Sequence, residues 1–515
     1  DVEYPEVSRI LCLQGAEILV HMATLPHFSE AVALSRLWRE VQANQVFGVE
    51  AVCVGPGLRG RSGSQAPVEL TADGTGWLAR APHDDAGAVV LADLDSAALD
   101  RLLERYPIHA LRNVSQYRRY FPSAYWRGEG ITASTRGHGA LGEVGALESH
   151  CERFVRSDPQ TGDGERASLP EVPLRQGLRR QRHSRSSGTS GRGAVLENPS
   201  GLDRCVMERL LAGLLWPWMQ WRGLAATATA TVRSLPAQQA LACRPPRICI
   251  GVAQFSLELV GSVSAYVRRA HRLVAEAVGK GAGLVVFPEY ASLPLLGLLP
   301  GAKTLAAALA RRGADSREEP GEEDHAGQLA PMALALRLAA PAARRVFLAT
   351  FGALAERFEV LLLGGSVIEL DAHARLRNVA YLFGPQGQIF ARQVKTHLVP
   401  AEVAMGYDVG EEIAVVDTNA GTLAFPVCMD HTYFETARIA ALQGAELLID
   451  PAANNEYYNA HYQARGVWAR VQEVQTYGVL CCGVGRVGPL VFEGRGGVYA
   501  PLELTPAGDG VVAAA

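Results

Sequence analysis

The stretch "FPVCMDHTYFETARIAALQGAE" (425–446) has a second version at the opening of the chain. The opening reads "DVEYPEVSRILCLQGAE" (1–17), and with Asp1 placed on Asp430, ten of the seventeen aligned pairs are identical. A repeat over this distance indicates a duplicated domain, whereas solenoid repeats recur every ~20–50 residues. The opening copy starts two residues after the position that Cys428 occupies in the later copy. The chemistry of that cysteine therefore decides what each copy can do.

The similarity between the copies continues beyond this stretch. "LWREVQANQVFGV" (37–49) matches "VWARVQEVQTYGV" (467–479), and "PVELT" (67–71) matches "PLELT" (501–505). The first copy then runs on through "AVVLADLDSAALDRLLERYPI" (88–108), a strand followed by an amphipathic helix, for which the second copy has no counterpart. We expect one copy to lack its front half and the other its tail.

The region between the copies differs in composition from both. Residues 157–193 are rich in Arg, Ser and Gly, with almost no apolar periodicity, so they cannot bury enough surface to offset the entropy of ordering. A solvated, disordered linker is favoured over an RNA-binding tail, because no aromatic residue is interleaved for base stacking. Translated intergenic sequence joining two genes is a third alternative. The predicted organisation is a partial domain without catalytic residues at 1–125, a disordered or non-native linker at 126–245, and a C-terminally truncated catalytic domain at 246–515.

The composition is that of a globular chain without a strongly charged surface. Of 515 residues, 48% are hydrophobic and 20% charged, and the formal net charge is −4, which gives no overall field to recruit nucleic acid or an anionic membrane. The apolar run "LLAGLLWPWMQW" (210–221) is too short to span a bilayer. Nine cysteines without a disulfide framework indicate reduced thiols and a cytoplasmic protein. We expect neither a nucleic-acid nor a membrane partner.

Strand and helix patterns alternate through the second copy. "SVSAYVRRAHRLVAEAV" (262–278) carries apolar residues at i, i+3 and i+4 spacing, which predicts a helix ending near Gly279. A second helix is predicted at 433–444, with Gly444 at its C-terminus. Apolar runs predict buried strands at 283–289, 360–370, 377–384, 388–395, 422–428 and 446–450. This alternation predicts an α/β sandwich.

Three chemically reactive residues stand at the ends of these strands: Glu289 in "VVFPEY", Lys395 in "RQVKTHLVP" and Cys428 in "LAFPVCMD". Each alone has an ordinary explanation, as a turn residue, a solvated cation and an inert core thiol respectively. Together they supply what a thiol nucleophile needs, namely a base to take its proton and a cation to stabilise the oxyanion formed on attack.

Residues 247–505 resemble the nitrilase, or carbon–nitrogen hydrolase, superfamily. "FPEY", "KTHLVPAE" and "VCMD" stand in that family's order, and "RNVAYLFGPQGQI" (377–389) matches the strand–turn–strand that usually precedes the lysine motif. The resemblance implies an αββα sandwich, with a partial second copy of the same fold at 1–122. It also implies cleavage of a small-molecule, non-peptide amide, of the amidase or carbamoylase type, through a thioester from which water then releases the acid.

The same resemblance implies roles for single residues. Glu289 would be the general base, Lys395 would help to hold the oxyanion, and Cys428 would be the nucleophile. The backbone N–H of Met429 would be the second oxyanion donor. Glu402 would orient the lysine or the substrate, with a surface position as the alternative. No metal and no cofactor are implied, and we expect a homo-oligomer.

Two alternatives to amide cleavage stay open. Nitrile hydrolysis by the same residues is the first, and it is less favoured because Cys428 is followed by Met-Asp rather than by the Trp-Glu usual in true nitrilases. The second is a non-catalytic broken tandem whose sandwich serves only as an association surface. The intact set of Glu289, Lys395 and Cys428 favours the enzyme.

Overall fold

The structure is a computed structural model and describes residues 2–126, 213, 215–237, 247–315 and 322–514. The stretch 157–193, for which the sequence predicts a disordered linker, lies outside these residues. All described residues belong to one compact unit, which comprises Asp1–Gly128 and Cys205–Ala515.

The first copy forms a four-stranded sheet with helices packed against it. Its strands are β1 (Ile18–Thr24), β2 (Phe47–Cys53), β3 (Gly63–Gln65) and β4 (Trp77–Arg80), hydrogen-bonded in that order. Its helices are α1 (Pro5–Leu13), α2 (Glu30–Ala33), α3 (Arg39–Asn44), α4 (Ser96–Arg105) and α5 (Val114–Trp126), with a π-helical turn at Leu34–Trp38 and a 3-10 turn at Val68–Leu70.

The rest of the described chain contains the following helices and strands, in addition to the helical residues 215–222. The helices are α6 (Ala225–Ser234), α7 (Val263–Gly279), α8 (Ala302–Asp315), α9 (Glu322–Phe358), α10 (Pro400–Ala404), α11 (Phe434–Leu442), α12 (Ala460–Ala464) and α13 (Val467–Val474). The strands are β5 (Ile250–Val252), β6 (Leu284–Val286), β7 (Leu361–Leu370), β8 (Leu376–Phe383), β9 (Ile389–Val394), β10 (Val415–Thr418), β11 (Gly421–Ala424), β12 (Leu447–Ala452), β13 (Tyr477–Cys482), β14 (Gly485–Val487), β15 (Leu490–Phe492), β16 (Gly497–Tyr499) and β17 (Val511–Ala514). Turns of 3-10 helix lie at Leu293–Leu298, Cys428–Thr432 and Leu502–Leu504.

Two sheets face one another in the second copy. One has the order β5-β6-β7-β8-β9 and the other the order β10-β11-β12-β13-β16-β17. The layer between them is apolar and includes Leu284, Val286, Leu361, Leu363, Leu382, Leu423, Phe425, Leu447, Ile449 and Val479. Helices α7 and α9 cover the outer face of the first sheet, and α11 and α13 cover the outer face of the second. The predicted αββα sandwich is confirmed.

Local sequence explains why the central elements form. In β6, Leu284 and Val286 face the layer between the sheets, whereas Val285 packs beneath the outer helices, so the strand is apolar on both faces. Helix α7 begins after Ser262, whose side chain accepts a hydrogen bond from the backbone N–H of Ala265. Strand β11 is shorter than its apolar run predicts and ends at Ala424, because Pro426 has no N–H to continue the ladder.

One part of the predicted linker is folded. Helix α6 lies within 126–245, yet its Ala228 and Val232 are fully buried among core side chains that include those of α7 and α9. The linker prediction is therefore wrong for this helix. Its sequence, "AATATATVRS", has small side chains and no strong apolar stripe, so packing against neighbours decides its structure rather than its own periodicity.

The two copies share topology in detail. Strands β1, β2, β3 and β4 correspond to β12, β13, β16 and β17, with one parallel pair followed by two antiparallel pairs in each sheet. A register irregularity falls at Gln65 in one copy and at the equivalent Tyr499 in the other. Gln42 Nε2 donates to the carbonyl oxygen of Ala66 at 2.9 Å, and Gln472 makes the equivalent bond at 3.1 Å. The first copy is thus a partial copy of the same fold, as predicted.

The copies contact each other through equivalent helices. Arg9 of α1 pairs with Glu435 of α11, with 3.0 Å between Nε and Oε1, and Arg438 of α11 pairs with Glu6 of α1 at 2.9 Å. Arg9 is the counterpart of Arg438, and Glu6 that of Glu435, so the two ion pairs are reciprocal. Reciprocal pairing is the signature of an approximate two-fold axis.

Within the described residues, one segment, Leu329–Phe358 of α9, is long and apolar enough to cross a membrane. However, 67% of its most apolar window is buried inside the fold. Its Phe347 and Phe351 pack against the sheet formed by β5 to β9. The apolar character of this segment is that of a core helix.

Candidate active site

The three predicted site residues follow strands of two different sheets. Glu289 comes three residues after β6 and Lys395 directly after β9, both in the five-stranded sheet. Cys428 comes four residues after β11, in the six-stranded sheet. The structure brings all three together where the ends of the two sheets meet. Burying the charge of Glu289 or of Lys395 without a partner would cost free energy, so the two charges are buried together.

Lys395 lies between two carboxylates. Its Nζ is 2.9 Å from Oε1 of Glu289 and 2.9 Å from Glu402, and its side chain is only 2% exposed. Burial disfavours the ammonium charge, but Glu289 and Glu402 outweigh that effect and raise the pKa of Lys395 well above its ordinary value. The lysine is therefore a fixed cation at neutral pH.

Glu289 is held by three protein donors in addition to its contact with the cysteine. Asn378 Nδ2 donates to Oε1 at 2.8 Å, Lys395 donates to the same oxygen, and the backbone N–H of Ala453 donates to Oε2 at 3.1 Å. Burial raises the pKa of Glu289, and the positive charge of Lys395 opposes that effect. A carboxylate of raised proton affinity beside a thiol is suited to accept the thiol proton.

Cys428 has an unusual backbone conformation. Its φ is +51°, in the left-handed region that side-chain-bearing residues seldom occupy, and its N–H donates to Oδ1 of Asp450 at 3.1 Å. Burial and the charge of Glu289 raise the pKa of the thiol well above its ordinary value, although Lys395 opposes them. The thiol is therefore protonated at rest and needs an adjacent base for attack. Strain of this kind is typical of functional residues.

Glu402 is buried, which removes the surface alternative for it. Its side chain is 2% exposed, and it accepts hydrogen bonds from the Tyr290 hydroxyl and, at 3.0 Å, from the backbone N–H of Val399. Because it also contacts Lys395, it is placed to orient that side chain. Its function in catalysis stays a prediction.

Met429 and two buried histidines lie close to the site residues in the sequence. Met429 directly follows Cys428 in the 3-10 turn Cys428–Thr432, and the use of its N–H as an oxyanion donor stays a prediction. His431 is fully buried, and burial lowers its pKa to about 3, so its ring is uncharged at neutral pH. His397 is fully buried and stacks on Tyr433, with 4.1 Å between ring centroids.

Four residues that support the site were not predicted from the sequence: Tyr290, Asn378, Asp430 and Asp450. Asn378 was detectable as a single polar position in the apolar strand β8, because a polar side chain in such a strand needs a buried partner. Tyr290 and Asp430 adjoin the motif residues, but nothing in their spacing predicts which atoms they contact. Asp450 ends an apolar run and reads from sequence as an ordinary strand terminus.

The comparisons with known proteins agree with this architecture. A sequence model of the family described as "Carbon-nitrogen hydrolase" matches residues 249–507, half of the chain. The "Probable hydrolase YhcX" of Bacillus subtilis is 31% identical over 174 residues, covering 32% of this chain and 33% of that protein. The chloroplastic omega-amidase of Arabidopsis thaliana is 26% identical over 219 residues, covering 41% and 51%. The omega-amidase NIT2 of Homo sapiens is 32% identical over 109 residues, covering 20% and 39%.

Solved structures are also similar. Nit3 of Saccharomyces cerevisiae, a member of branch 10 of the nitrilase superfamily, aligns with 52% of this chain and 85% of its own, at 22% identity and a TM-score of 0.37. An amidase from Nesterenkonia sp. aligns with 52% and 86%, at 21% identity and a TM-score of 0.38. The matched regions span about a third to a half of the length of the curated relatives.

An αββα sandwich with glutamate, lysine and cysteine at neighbouring strand ends is the arrangement that the motifs predict for the nitrilase superfamily. With the family match over 249–507, the chain belongs to the carbon-nitrogen hydrolase family.

Proposed function

We propose that the chain hydrolyses the carbon–nitrogen bond of a small non-peptide amide, with Cys428 as nucleophile, Glu289 as general base and Lys395 as oxyanion donor. The observation that carries the proposal is the buried cluster in which Lys395 Nζ lies 2.9 Å from Oε1 of Glu289 and the charges of both residues act on the thiol of Cys428. Relatives named omega-amidases support amide over nitrile as the substrate class.

The proposed first half-reaction forms a thioester. Glu289 accepts the thiol proton as Sγ of Cys428 bonds to the carbonyl carbon, and the oxyanion is stabilised by the Lys395 ammonium and the Met429 N–H. Glu289 then gives its proton to the amide nitrogen, the carbon–nitrogen bond breaks, and ammonia or an amine leaves.

The proposed second half-reaction returns the enzyme to its resting state. Glu289 takes a proton from water as the water oxygen bonds to the thioester carbon. The carbon–sulfur bond breaks, the carboxylic acid leaves, and the thiol recovers a proton from Glu289. The raised pKa values of Glu289 and Cys428 support this exchange, since each favours its protonated form more strongly than it would in water.

Replacement of Cys428 by Ala tests the proposal. We expect C428A to lose amide hydrolysis, because no other atom of the site can form the acyl intermediate, and we expect C428S to be nearly as inactive. The measurement is release of ammonia from a panel of short-chain primary amides, with the melting temperature as a check on folding. The matched control is C12A. Cys12 is buried in helix α1 of the first copy, burial raises the pKa of its thiol to about 11, and its loss should leave turnover unchanged.

Two outcomes would contradict the proposal. If C428A kept more than about a tenth of the turnover, Cys428 could not be the nucleophile. If the wild-type chain released ammonia from short-chain nitriles and from no amide, the nitrile alternative would replace amide hydrolysis.

A further inference from the structure

Asp430 forms hydrogen bonds with two segments of the chain, the one that follows Lys395 and the one that precedes Cys428. Its Oδ1 accepts hydrogen bonds from the backbone N–H groups of Thr396 and His397, at 3.0 and 2.7 Å, and from the Thr396 hydroxyl at 2.8 Å. Its Oδ2 accepts from the N–H of Val427 at 2.9 Å. The residue after Lys395 and the residue before Cys428 are therefore fixed to one fully buried carboxylate. Burial disfavours its charge, but hydrogen bonds and the neighbouring His397 lower its pKa overall.

His397 extends this network toward the first copy. Its Nδ1 is 3.1 Å from Oδ1 of Asp430, and its Nε2 is 2.7 Å from the hydroxyl of Tyr117, which lies on helix α5. With the proton on Nδ1, the ring donates to Asp430 and accepts from Tyr117. The ring of Tyr433 stacks on His397, and the Tyr433 hydroxyl donates to the carbonyl oxygen of Ile108 at 3.1 Å. Two residues of the first copy thus contact these side chains: Tyr117 contacts His397, and Ile108 contacts Tyr433.

Asn113 of the first copy contacts the lysine segment directly. Its Nδ2 donates to the carbonyl oxygens of Thr396 and Gly410, at 3.1 and 2.8 Å, and the N–H of Gly410 donates to the carbonyl oxygen of Lys395 at 2.8 Å. Its Oδ1 accepts from the N–H of Gln116 at 3.2 Å, at the start of α5. The amide therefore performs two separable tasks: the oxygen caps a helix of the first copy, and the nitrogen holds the backbone beside Lys395.

We propose that the first copy is a built-in positioning subunit for the second, and that Asn113 and Tyr117 hold Lys395 and Cys428 in their working geometry. Neither residue touches the reacting atoms, so each acts through the backbone of Thr396 and through His397 and Asp430. The proposal rests on the proposed function for its effect on turnover. Its effect on the reactivity of Cys428 is independent of any substrate.

The variant N113D separates positioning from folding. An aspartate keeps the oxygen that caps α5, and Asp is a good N-cap residue, but it replaces the donor by an oxygen that faces two carbonyl oxygens. The variant Y117F removes the hydroxyl and keeps the ring. The matched control is Q42A, which loses two buried hydrogen bonds, one to Ala66 and one from Val68, that both lie within the first copy.

The experiment uses the full chain and three measurements. The first is the rate of alkylation of Cys428 by iodoacetamide across pH, read by peptide mass spectrometry against the exposed Cys53 as internal reference. The second is kcat and KM for an amide substrate, and the third is the melting temperature. We expect N113D and Y117F to lower kcat by about tenfold or more with little change in KM, since small misplacements of reacting groups have effects of this size. The pH profile of Cys428 alkylation should shift in both variants and not in Q42A.

The result that overturns the proposal is an unchanged Cys428 alkylation profile in N113D and Y117F, with losses of melting temperature like that of Q42A. This outcome would make the contact a docking interface only. Failure of the proposed function is distinguishable, because it would appear as turnover in C428A, while the alkylation profile would still respond to N113D.

Discussion

Lys395 shows how burial and charge combine at a single residue. An ammonium that is 2% exposed is stable only because two carboxylates contact it, and the same two contacts fix its position beside Cys428. A preorganised cation of this kind stabilises an oxyanion more strongly than a solvated one, because no water has to reorient during the reaction. Because the pKa of Lys395 is raised, its ammonium group holds its proton firmly, which fits an electrostatic role better than one in proton transfer.

Replacement of Lys395 should therefore act on the chemical step. We expect K395A to lower kcat by roughly 10²–10³, the usual effect of losing one oxyanion donor. K395R should not restore activity, because a planar guanidinium cannot fit between Glu289 and Glu402 as a compact ammonium does. Steady-state kinetics on an amide substrate measure both effects. A change confined to KM would instead make Lys395 a substrate anchor.

Single residues also show where prediction from sequence stopped. The motif order predicted that Glu289, Lys395 and Cys428 would come together, and the structure does bring them together. The contact of Glu402 with Lys395 was one of the alternatives predicted from the sequence, a surface position being another. The parts played by Asn378 and Asp430 depend on distances between segments far apart in the chain, and local sequence carries no information about those distances.

At the scale of elements, the helix pair α1 and α11 is the clearest case of packing that sequence alone does not reveal. The duplicated sequence identifies both helices, but it does not predict that they lie against each other. In the structure they are in contact through the reciprocal pairs of Arg9 with Glu435 and Arg438 with Glu6. The Arg9–Glu435 pair is 4% exposed on each side, so each charge depends on its partner.

A charge reversal tests this contact. R9E places two carboxylates together in a buried position and should lower the free energy of unfolding by about 3–5 kcal/mol, as expected when a buried pair is broken. Adding E435R should recover much of the loss. The matched control is R59E, because Arg59 pairs with Asp85 on the surface, with side chains 48% and 59% exposed, and such pairs contribute about 1 kcal/mol or less.

Chemical denaturation of the single and double variants is the measurement. An R9E loss no larger than that of R59E, or the absence of recovery with E435R, would show that α1 and α11 are not packed as described.

Element boundaries followed the sequence where periodicity was strong and departed from it elsewhere. Helix α7 and strand β7 agree closely with their predicted ranges, because their apolar spacing is dense. Strand β11 ends at Ala424, before Pro426 and before its apolar run does, and α6 forms where no helix was predicted. In both cases a backbone or packing constraint outweighed the hydrophobic pattern.

At the scale of the whole molecule, the two copies differ in what covers their sheets. The outward face of β1 exposes Ile18, Val20 and Met22 at 46%, 71% and 84%. The counterparts Leu447 and Ile449 in β12 are buried beneath the five-stranded sheet. Within the described residues, no second sheet covers the first copy. Its α1 and the residues from Ile108 to Tyr117 contact the second copy, which fits the proposed supporting role.

The fold class and the duplication could be predicted from sequence because both depend on repeated local patterns. The way the copies combine could not, since it depends on α1, α5 and the residues before α5 meeting a surface that only the folded second copy presents. The expected homo-oligomer stays a prediction, and the α1–α11 contact described here lies within one chain.

The proposed mechanism requires a thioester on Cys428 that water then hydrolyses, and the partitioning of this intermediate between two nucleophiles can be measured. The full chain is given primary amide, N-methylamide and anilide substrates that share one acyl group, in the presence of hydroxylamine, and the ratio of hydroxamate to free acid is measured. If all three substrates pass through the same acyl-Cys428, we expect one ratio for every leaving group and neither product from C428A. A ratio that changes with the leaving group would show that water attacks the amide directly, without a common thioester on Cys428.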